Sequence, residues 1–342
     1  MNYIEFPKKQ NRRKNPLDDF VLTSRVRISR NLDGLKFPLF LDEKTQMEIE
    51  EKVCEEIKSL CKDVEIQRIE QLSSQDLQVY LASKVLSDSF IKNSRVFCYQ
   101  KNGNWVVLFN EEDHLKIFSV EFGYNIRNMY ERINGFLTDL EERVEFAYDE
   151  EFGYLTTSIL NVGTALRISV LVNLPGILYS GNLESFTRSL NEMSYSFKPF
   201  LNSNIPLFYI FNLYSLGISE EEIMNEFESL LINILKVERE MRENFIFGKK
   251  TEVGRIFDKC LKLNKIEKLT YPELVEYVSI FDLLNKHVFY VDDINYLRGL
   301  LFSGQDDYLR YKYGLDVDNL DEARLFLIHK IVGALKYKKA YI

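Results

Sequence analysis

Two arginines on one face of a single strand are the first residues in this chain whose types suggest chemistry. They lie in the segment 21–31, which reads VLTSRVRISRN. Apolar and basic residues alternate there, so a strand directs Arg25 and Arg27 to one face and Val26 and Ile28 to the other. Guanidinium groups suit phosphate, because each presents a planar set of donors and keeps its charge. The segment therefore predicts a phosphate-binding strand; the alternative is a solvated edge strand whose arginines discourage aggregation.

A cluster of acids and a glycine-containing turn follow, each next to a predicted strand. The acids lie in NEEDHLK, residues 110–116, between a predicted hairpin at 95–108 and a predicted strand at 115–120. The turn lies in GYLTTSILNVGTALR, residues 153–167, and leads into the apolar strand 168–174. Both motifs are therefore candidates for the same phosphate site as the two arginines.

These motifs, together with Ser215-Leu216-Gly217 ahead of a long helical segment, occur in the order found in ATP:guanido phosphotransferases. The chain resembles that family, which includes arginine kinases, creatine kinases and bacterial protein-arginine kinases. Its layout is most similar to the bacterial branch, because the arginine strand comes early and helical segments follow the motifs. The resemblance implies an α+β fold. In that fold a curved antiparallel sheet is flanked by helices, as in glutamine-synthetase-like domains, and binds magnesium nucleotide across the sheet.

The resemblance also implies roles for particular side chains. Arg25, Arg27 and Arg167 match phosphate-binding arginines, and Lys116 stands where the family has another arginine. Glu112 matches the carboxylate that orients the acceptor guanidinium, so Glu112 and Arg167 are the predicted catalytic residues. The implied cofactor is ATP or ADP with Mg²⁺, the metal being held mainly through the nucleotide. The alternative for Arg167 is that it is a surface arginine at the end of a strand. The alternative for Glu112 is that it belongs to a solvated acidic loop without a catalytic role.

Departures from the family pattern concern mostly the acceptor side of the predicted site. Lys116 keeps a positive charge but loses the forked donor geometry of arginine. Ser158 replaces a cysteine ahead of the NVGT turn, and Lys84 occupies the position of a histidine expected near the adenine. In the following loop, Ser194 replaces a phosphate arginine and Pro199 replaces a substrate glutamate. Neither residue carries a charge, so the acceptor loop is predicted to be degenerate.

A later stretch, LDEARL at residues 320–325, resembles the segment that forms a phospho-arginine pocket in protein-arginine kinases. Asp321 and Arg324 match that segment, whereas Leu320 and Leu325 replace an arginine and an alanine. About one helical turn separates Asp321 from Arg324, so the alternative is an ordinary ion pair between them at the surface.

Hydrophobic periodicity predicts the elements that position these residues. Helical spacing occurs in the segments 42–61, 72–86, 124–145, 183–193, 220–243, 272–286, 291–302 and 320–337, whereas residues 194–206 read as a loop. Strand character gives way to helical segments near residue 248. We therefore expect a catalytic-type domain at residues 1–248 and a helical C-terminal domain at residues 249–342.

Composition narrows the classes of protein to consider. The 342 residues carry a net charge of −8 at pH 7, which argues against a nucleic-acid partner. The sequence shows no signal-peptide pattern and no apolar run of membrane-spanning length, and the basic run at residues 8–14 reads as a flexible tail. The four cysteines lack CxxC spacing, which predicts reduced thiols, a cytoplasmic location and no metal site.

The leading hypothesis is an ATP-dependent kinase that phosphorylates guanidino groups of arginine side chains in proteins. The resemblance implies an arginine-containing protein substrate and a small zinc-containing activator protein as partners, and it leaves a homodimer open. Loss of a preorganised charge commonly costs about two to three orders of magnitude in rate, so Ser194 and Pro199 keep a pseudokinase open as the alternative. That protein would bind nucleotide as a scaffold or regulator. A structural partner that binds no nucleotide is the third hypothesis.

Overall fold

A computed structural model describes residues 15–82, 85–285, 287–332 and 336–337 of the chain. Lys84 and the basic run 8–14 lie outside the described residues. The strands are β1 (Val21–Arg30), β2 (Val64–Arg68), β3 (Val96–Gln100), β4 (Val106–Phe109), β5 (Leu115–Phe122), β6 (Tyr148–Asp149), β7 (Gly153–Tyr154), β8 (Leu166–Asn173), β9 (Tyr195–Pro199), β10 (Leu207–Asn212), β11 (Phe289–Tyr290) and β12 (Lys336–Tyr337).

Helices connect and cover these strands. They are α1 (Glu43–Leu60), α2 (Ser74–Ala82), α3 (Asp88–Asn93), α4 (Ile126–Glu141), α5 (Pro175–Tyr179), α6 (Leu183–Glu192), α7 (Glu220–Gly248), α8 (Lys250–Lys262), α9 (Tyr271–Leu284), α10 (Ile294–Ser303), α11 (Asp306–Tyr313) and α12 (Leu320–Val332). Among the described helices, none carries an apolar stretch long enough to cross a membrane.

Eight of the described strands form one antiparallel sheet in the order β2-β3-β4-β5-β1-β8-β10-β9. Strand β1 lies near the middle, with Arg27 opposite Phe118 of β5 and Arg167 of β8. Arg25 lies opposite Ser169 on the same strand β8. Alternate residues of a strand share a face, so the register brings all three arginines to one face of the sheet. The predicted α+β fold, an antiparallel sheet flanked by helices, is confirmed.

The other face of the sheet packs against helices α1, α4 and α7 and forms the largest apolar core. Val26 and Ile28, the apolar residues that alternate with the arginines, are buried in this core. Helix α7 begins with a capping box between Ser219 and Glu222, and three acids follow in its first turn. These features satisfy the free amides and complement the helix dipole. Burial of this face fixes the register and thereby the direction of the arginines.

The face that carries the arginines is covered only at its two ends. At one end, α2 and α3 pack over apolar residues of β3 and β4 such as Phe97 and Leu108. At the other end, the C-terminal helices pack over Leu171 of β8 and Leu207 of β10. The central part of the face, where the arginines lie, therefore remains open as a cavity.

The described residues beyond Gly248 are mainly helical, as expected, and they build a core together with the sheet. That core includes Leu22 and Leu171 from the strands. Buried Arg298 of α10 donates to the carboxylate of Asp282 at 2.8 and 3.0 Å and to the carbonyl oxygen of Asp18 at 2.6 Å. The C-terminal helices are thus joined to the sheet by apolar and charged contacts. A domain boundary near residue 248 stays a prediction.

Two predicted element assignments are wrong. Residues 194–206 read as a loop, but Tyr195–Pro199 forms the edge strand β9, because Phe197 stacks on Phe208 with ring centroids 4.4 Å apart. The helix predicted at 320–337 ends at Val332, and Lys336–Tyr337 pairs with β11. Both errors come from contacts with residues distant in sequence, which periodicity within a segment does not reveal.

Candidate active site

A cavity of about 770 Å³ lies over the middle of the arginine face. Cationic side chains from four strands line one part of it: Arg25 and Arg27 from β1, Lys116 from β5, Arg167 from β8 and Lys198 from β9. Apolar side chains line another part: Leu81, Val85, Leu86 and Leu108. The cavity therefore combines a surface for a polyanion with a surface for a flat apolar group, within the size range of small-molecule sites.

Two of the three arginines, Arg25 and Arg167, are held against aromatic rings. The Arg25 guanidinium lies 4.2 Å from the centroid of the Phe118 ring, and that of Arg167 lies 5.2 Å from the Phe211 ring. These stacked positions leave the guanidinium edges for a ligand. Burial, and then the neighbouring charge of Arg27, lower the pKa of Arg167 to about 10. Such crowding of like charges favours the binding of an anion.

Arg27 is the most enclosed of the cavity arginines. Its Nη2 donates to Oδ1 of Asn161 at 3.3 Å, and its buried Nε has no hydrogen-bond partner among the described residues. Burial lowers the pKa of Arg27, while the charges of Glu112 and Asp113 act in the opposite direction. The protein therefore satisfies this guanidinium only in part, which favours an anion where Arg27 lines the cavity.

Lys116 pairs with Glu111, and both side chains are about nine-tenths buried. The Glu111 carboxylate also accepts hydrogen bonds from the hydroxyls of Ser87 at 2.9 Å and Ser89 at 3.0 Å. Burial and the charges of the three arginines lower the pKa of Lys116 to about 7, although the adjacent Glu111 carboxylate acts in the opposite direction. The sequence reasoning assigned Lys116 to the phosphates but did not identify Glu111 as its partner.

The acidic NEEDH turn is fixed by the two buried residues at its C-terminal end, Asp113 and His114. Asp113 Oδ1 accepts from Nδ2 of Asn31 and from the backbone nitrogen of Thr157, both at 2.8 Å. His114 Nδ1 accepts from the backbone nitrogen of Leu32 at 3.0 Å, and burial lowers the pKa of this histidine to about 4. These hydrogen bonds fix the main chain of the turn, which carries the acids Glu111 and Glu112.

Glu112 is the exposed acid of this turn. Its backbone carbonyl accepts from the hydroxyl of Thr157 at 2.7 Å, which fixes the main chain beneath the side chain. The charge of its carboxylate lies close enough to Arg27 and Arg167 to oppose, in part, the lowering of the pKa of both groups by burial. Glu112 therefore stands next to the cationic cluster, and no other described residue pairs with its carboxylate, which is the arrangement needed to hold a cationic acceptor near an anionic donor.

The NVGT turn brings Asn161 and Arg167 to the site through a close backbone contact. Gly163 has φ +105°, and a Cβ there would lie 2.3 Å from the carbonyl oxygen of Ser215. Ser215 in turn donates its hydroxyl to the carbonyl oxygens of Asn161 at 3.0 Å and Val162 at 3.1 Å. Only glycine fits at this position, and the contact explains why the NVGT and Ser-Leu-Gly motifs occur together.

The three degenerate acceptor positions do not line the cavity. Ser158 precedes a short 3₁₀ turn, and Ser194 has φ +65° at the start of β9. Pro199 lies opposite Phe208 at the other end of β9, four residues from Tyr195. At about 3.3 Å per residue this separation is roughly 13 Å. The described conformation therefore holds Pro199 away from the end of the sheet at which Glu112 lies.

Lys198 is a cavity residue that the sequence reasoning missed. It alternates with Phe197 on β9, and because Phe197 packs into the large core, Lys198 projects to the opposite face. There its ammonium lies 5.5 Å from the Phe211 ring, the same ring that Arg167 contacts. The alternation in YSFKP was the available signal, but treating the segment as a loop concealed it.

Asp321 and Arg324 pair with each other, but not at the surface as the alternative proposed. The Arg324 side chain is only 3% exposed and contacts the carboxylates of Asp321 and Asp306. Its Nε donates to the carbonyl oxygen of Gly304 at 2.7 Å. Each of the three guanidinium nitrogens thus contacts an oxygen of the protein, and a role of this pair in binding phospho-arginine stays a prediction.

Comparisons with known proteins agree with this geometry. Residues 48–241 match the family described as ATP:guanido phosphotransferase, C-terminal catalytic domain. A protein-arginine kinase from Clostridium botulinum is 28% identical over 322 residues, which cover 86% of this chain and 94% of that protein. A protein-arginine kinase from an Exiguobacterium species is 27% identical over 279 residues, or 80% of each chain.

Two solved structures share the fold. The substrate-free duplicated taurocyamine kinase of Schistosoma mansoni superposes with a TM-score of 0.61 at 22% identity, covering 70% of this chain and 37% of that chain. Lombricine kinase superposes with a TM-score of 0.57 at 22% identity, covering 68% of each chain. At these identities the likeness shows the fold alone.

Proposed function

The chain belongs to the ATP:guanido phosphotransferase family, and we propose that it transfers the γ-phosphoryl group of ATP to arginine side chains of proteins. The observation that best supports this proposal is the convergence of Arg25, Arg27, Lys116 and Arg167 on one cavity, with Glu112 beside them. The relatives named protein-arginine kinase support arginine in proteins as the acceptor.

The cavity fits a nucleotide in both charge and shape. The guanidinium groups of Arg25, Arg27 and Arg167 bind the phosphate oxygens where they line the cavity. The apolar surface at Val85 and Leu86 accommodates the base. Mg²⁺ would arrive with the nucleotide and offset phosphate charge, since no cluster of three metal-binding side chains occurs in the described part of the chain.

Glu112 acts on the acceptor. Its carboxylate holds the substrate guanidinium in line with the γ-phosphorus, so that one guanidinium nitrogen bonds to phosphorus while the bond to the leaving oxygen of ADP breaks. The proton on that nitrogen passes to the Glu112 carboxylate. Arg167 and Arg27 offset the negative charge that the transferred group carries between donor and acceptor.

The part of the site that would bind the acceptor has fewer charged groups than the part that would bind the nucleotide. Ser194 and Pro199 offer no charge, and both lie on or beside the edge strand β9. We expect slow transfer by the isolated chain, which a zinc-containing activator protein or a second copy of the chain raises by completing the site. A cytoplasmic location agrees with the four unpaired cysteine thiols.

The test is incubation with labelled ATP, Mg²⁺ and an arginine-rich protein, followed by acid treatment. Phospho-arginine is acid-labile, whereas phosphoserine is not, so loss of label in acid identifies the product. Glu112→Gln should lower the acid-labile product about 10²-fold or more, and Arg167→Ala by a similar factor. The matched controls Glu192→Gln and Arg188→Ala change exposed residues of α6 outside the cavity and should leave the rate unchanged.

A nucleotide-binding measurement completes the test. Mg-ADP should raise the melting temperature of the wild type, and Arg25→Ala should remove most of that shift. A shift without any acid-labile product would favour the pseudokinase alternative. No shift at millimolar Mg-ADP would refute the proposed function and leave only a structural role.

A further inference from the structure

The turn between α10 and α11, together with the first turn of α11, reaches the nucleotide cavity from the C-terminal helices. Gln305 and Asp307 line the cavity together with Gln78 of α2 and with Val85 and Leu86. Both residues lie outside residues 48–241, the part of the chain that matches the family model. That match therefore assigns no role to this wall of the cavity.

The turn is held rigidly in place. The buried Arg324 guanidinium donates to the carbonyl oxygen of Gly304 and contacts Asp306, the residues on either side of Gln305. Further along α11, Tyr308 and Tyr311 pack against the apolar cluster that α2 forms with the sheet. Gln305 and Asp307 are thus preorganised with respect to the cavity, as ligand-binding groups must be.

The charge of Asp307 indicates which part of a nucleotide it meets. A carboxylate next to phosphate groups would repel them, whereas the cationic side chains already define a separate phosphate surface on the strands. The only ion pair of Asp307 among the described residues is a partly exposed contact of 3.8 Å with Arg310 on its own helix. Its carboxylate can therefore accept hydrogen bonds from a neutral, donor-rich group.

We propose that the α10–α11 turn and the first turn of α11 form the nucleoside end of the nucleotide site. In this arrangement Asp307 accepts hydrogen bonds from a nucleoside donor, either the 2′-hydroxyl of the ribose or the exocyclic amino group of adenine. Gln305, whose amide both donates and accepts, contacts the same nucleoside. The inference rests on the proposed nucleotide binding and adds that the C-terminal helices select the nucleoside.

The test measures equilibrium binding by calorimetry to the full-length wild type and to Asp307→Asn. The ligands are Mg-ADP, Mg-2′-deoxy-ADP, Mg-IDP and inorganic pyrophosphate with Mg²⁺. Asp307→Asn should weaken ADP binding about tenfold, because a charged acceptor becomes a neutral one, and should leave pyrophosphate binding unchanged. Gln305→Ala should act in the same direction. The matched control Asp318→Asn changes an exposed acid of the same helical region outside the cavity and should bind ADP like the wild type.

The analogues identify the donor. If Asp307 binds the ribose, the variant and the wild type should bind 2′-deoxy-ADP with equal affinity; if it binds the amino group, they should bind IDP equally. An unchanged ADP affinity in Asp307→Asn, or an equal loss for pyrophosphate, would overturn the inference while leaving the proposed function intact. A wild type that binds neither ADP nor pyrophosphate would overturn both.

Discussion

Nucleotide binding should be coupled to uptake of a proton by Lys116. In the ligand-free protein, burial and the three neighbouring guanidinium groups lower the pKa of this ammonium to about 7. Phosphate groups in the cavity would supply negative charge at short range and raise the pKa again. The amine that is neutral without ligand at alkaline pH should therefore become charged when nucleotide binds.

The number of protons taken up on nucleotide binding follows from the pKa of Lys116 in the ligand-free protein. The decrease from the ordinary value of 10.5 to about 7 corresponds to roughly 5 kcal/mol favouring the neutral amine. At pH 8 a group with this pKa is about one-tenth protonated, so full protonation in the complex requires uptake of about 0.9 proton per nucleotide. Affinity should also fall about tenfold per pH unit above pH 7 until the pKa of the complex is reached.

Calorimetry in buffers of different ionisation enthalpy measures this uptake directly. Mg-ADP should be titrated at pH 8, where its own phosphates are already ionised. Lys116→Arg serves as the matched variant, because a guanidinium stays charged without ligand and should bind ADP with no proton uptake and little pH dependence. Lys116→Met should also abolish the uptake and should weaken binding.

The opposing influence in the structure is the Glu111 carboxylate, which contacts Lys116 and favours its charged form. If that contact dominated, the ammonium would already be charged at pH 8 and the wild type would take up no proton. Absence of uptake in the wild type, or the same uptake in Lys116→Arg, would refute the reasoning.

Two further predictions concern acid stability and the missed cavity lysine. Burial lowers the pKa of His114 from 6.5 to about 4, so its neutral form supports the fold above pH 6.5, and about 3 kcal/mol should be lost as pH falls from 6.5 to 4. Urea unfolding between pH 6.5 and 4 should show that the free energy of unfolding falls less steeply with pH in His114→Asn than in the wild type or in His329→Asn. Equal pH dependence in all three proteins would contradict the assignment. Lys198→Met should weaken Mg-ADP binding about threefold to tenfold, a modest factor because the lysine is exposed, whereas Lys236→Met on α7 should have no effect. Equal affinities of the two variants in the same titration would exclude Lys198 from the phosphate site.

The sequence determined the features that depend on neighbouring residues. Alternation over residues 21–31 was sufficient to predict strand β1 and to direct Arg25 and Arg27 to one face, since a strand repeats every two residues. Apolar spacing over residues 220–243 predicted helix α7 for a similarly local reason, and the structure extends that helix to Gly248. The order of the motifs indicated the family, which the comparison confirms.

The tertiary structure decided what depends on contacts between distant segments. Tyr195–Pro199 forms a strand because it pairs with β10. This pairing directs Lys198 to the cavity and holds Pro199 away from Glu112. The C-terminal helices pack on the sheet, and this packing buries Arg324, which donates to the carbonyl oxygen of Gly304. The same packing places Asp307 at the nucleotide cavity. No local pattern carries this information, because the free energy that fixes these positions comes from apolar surface shared by residues far apart in the chain.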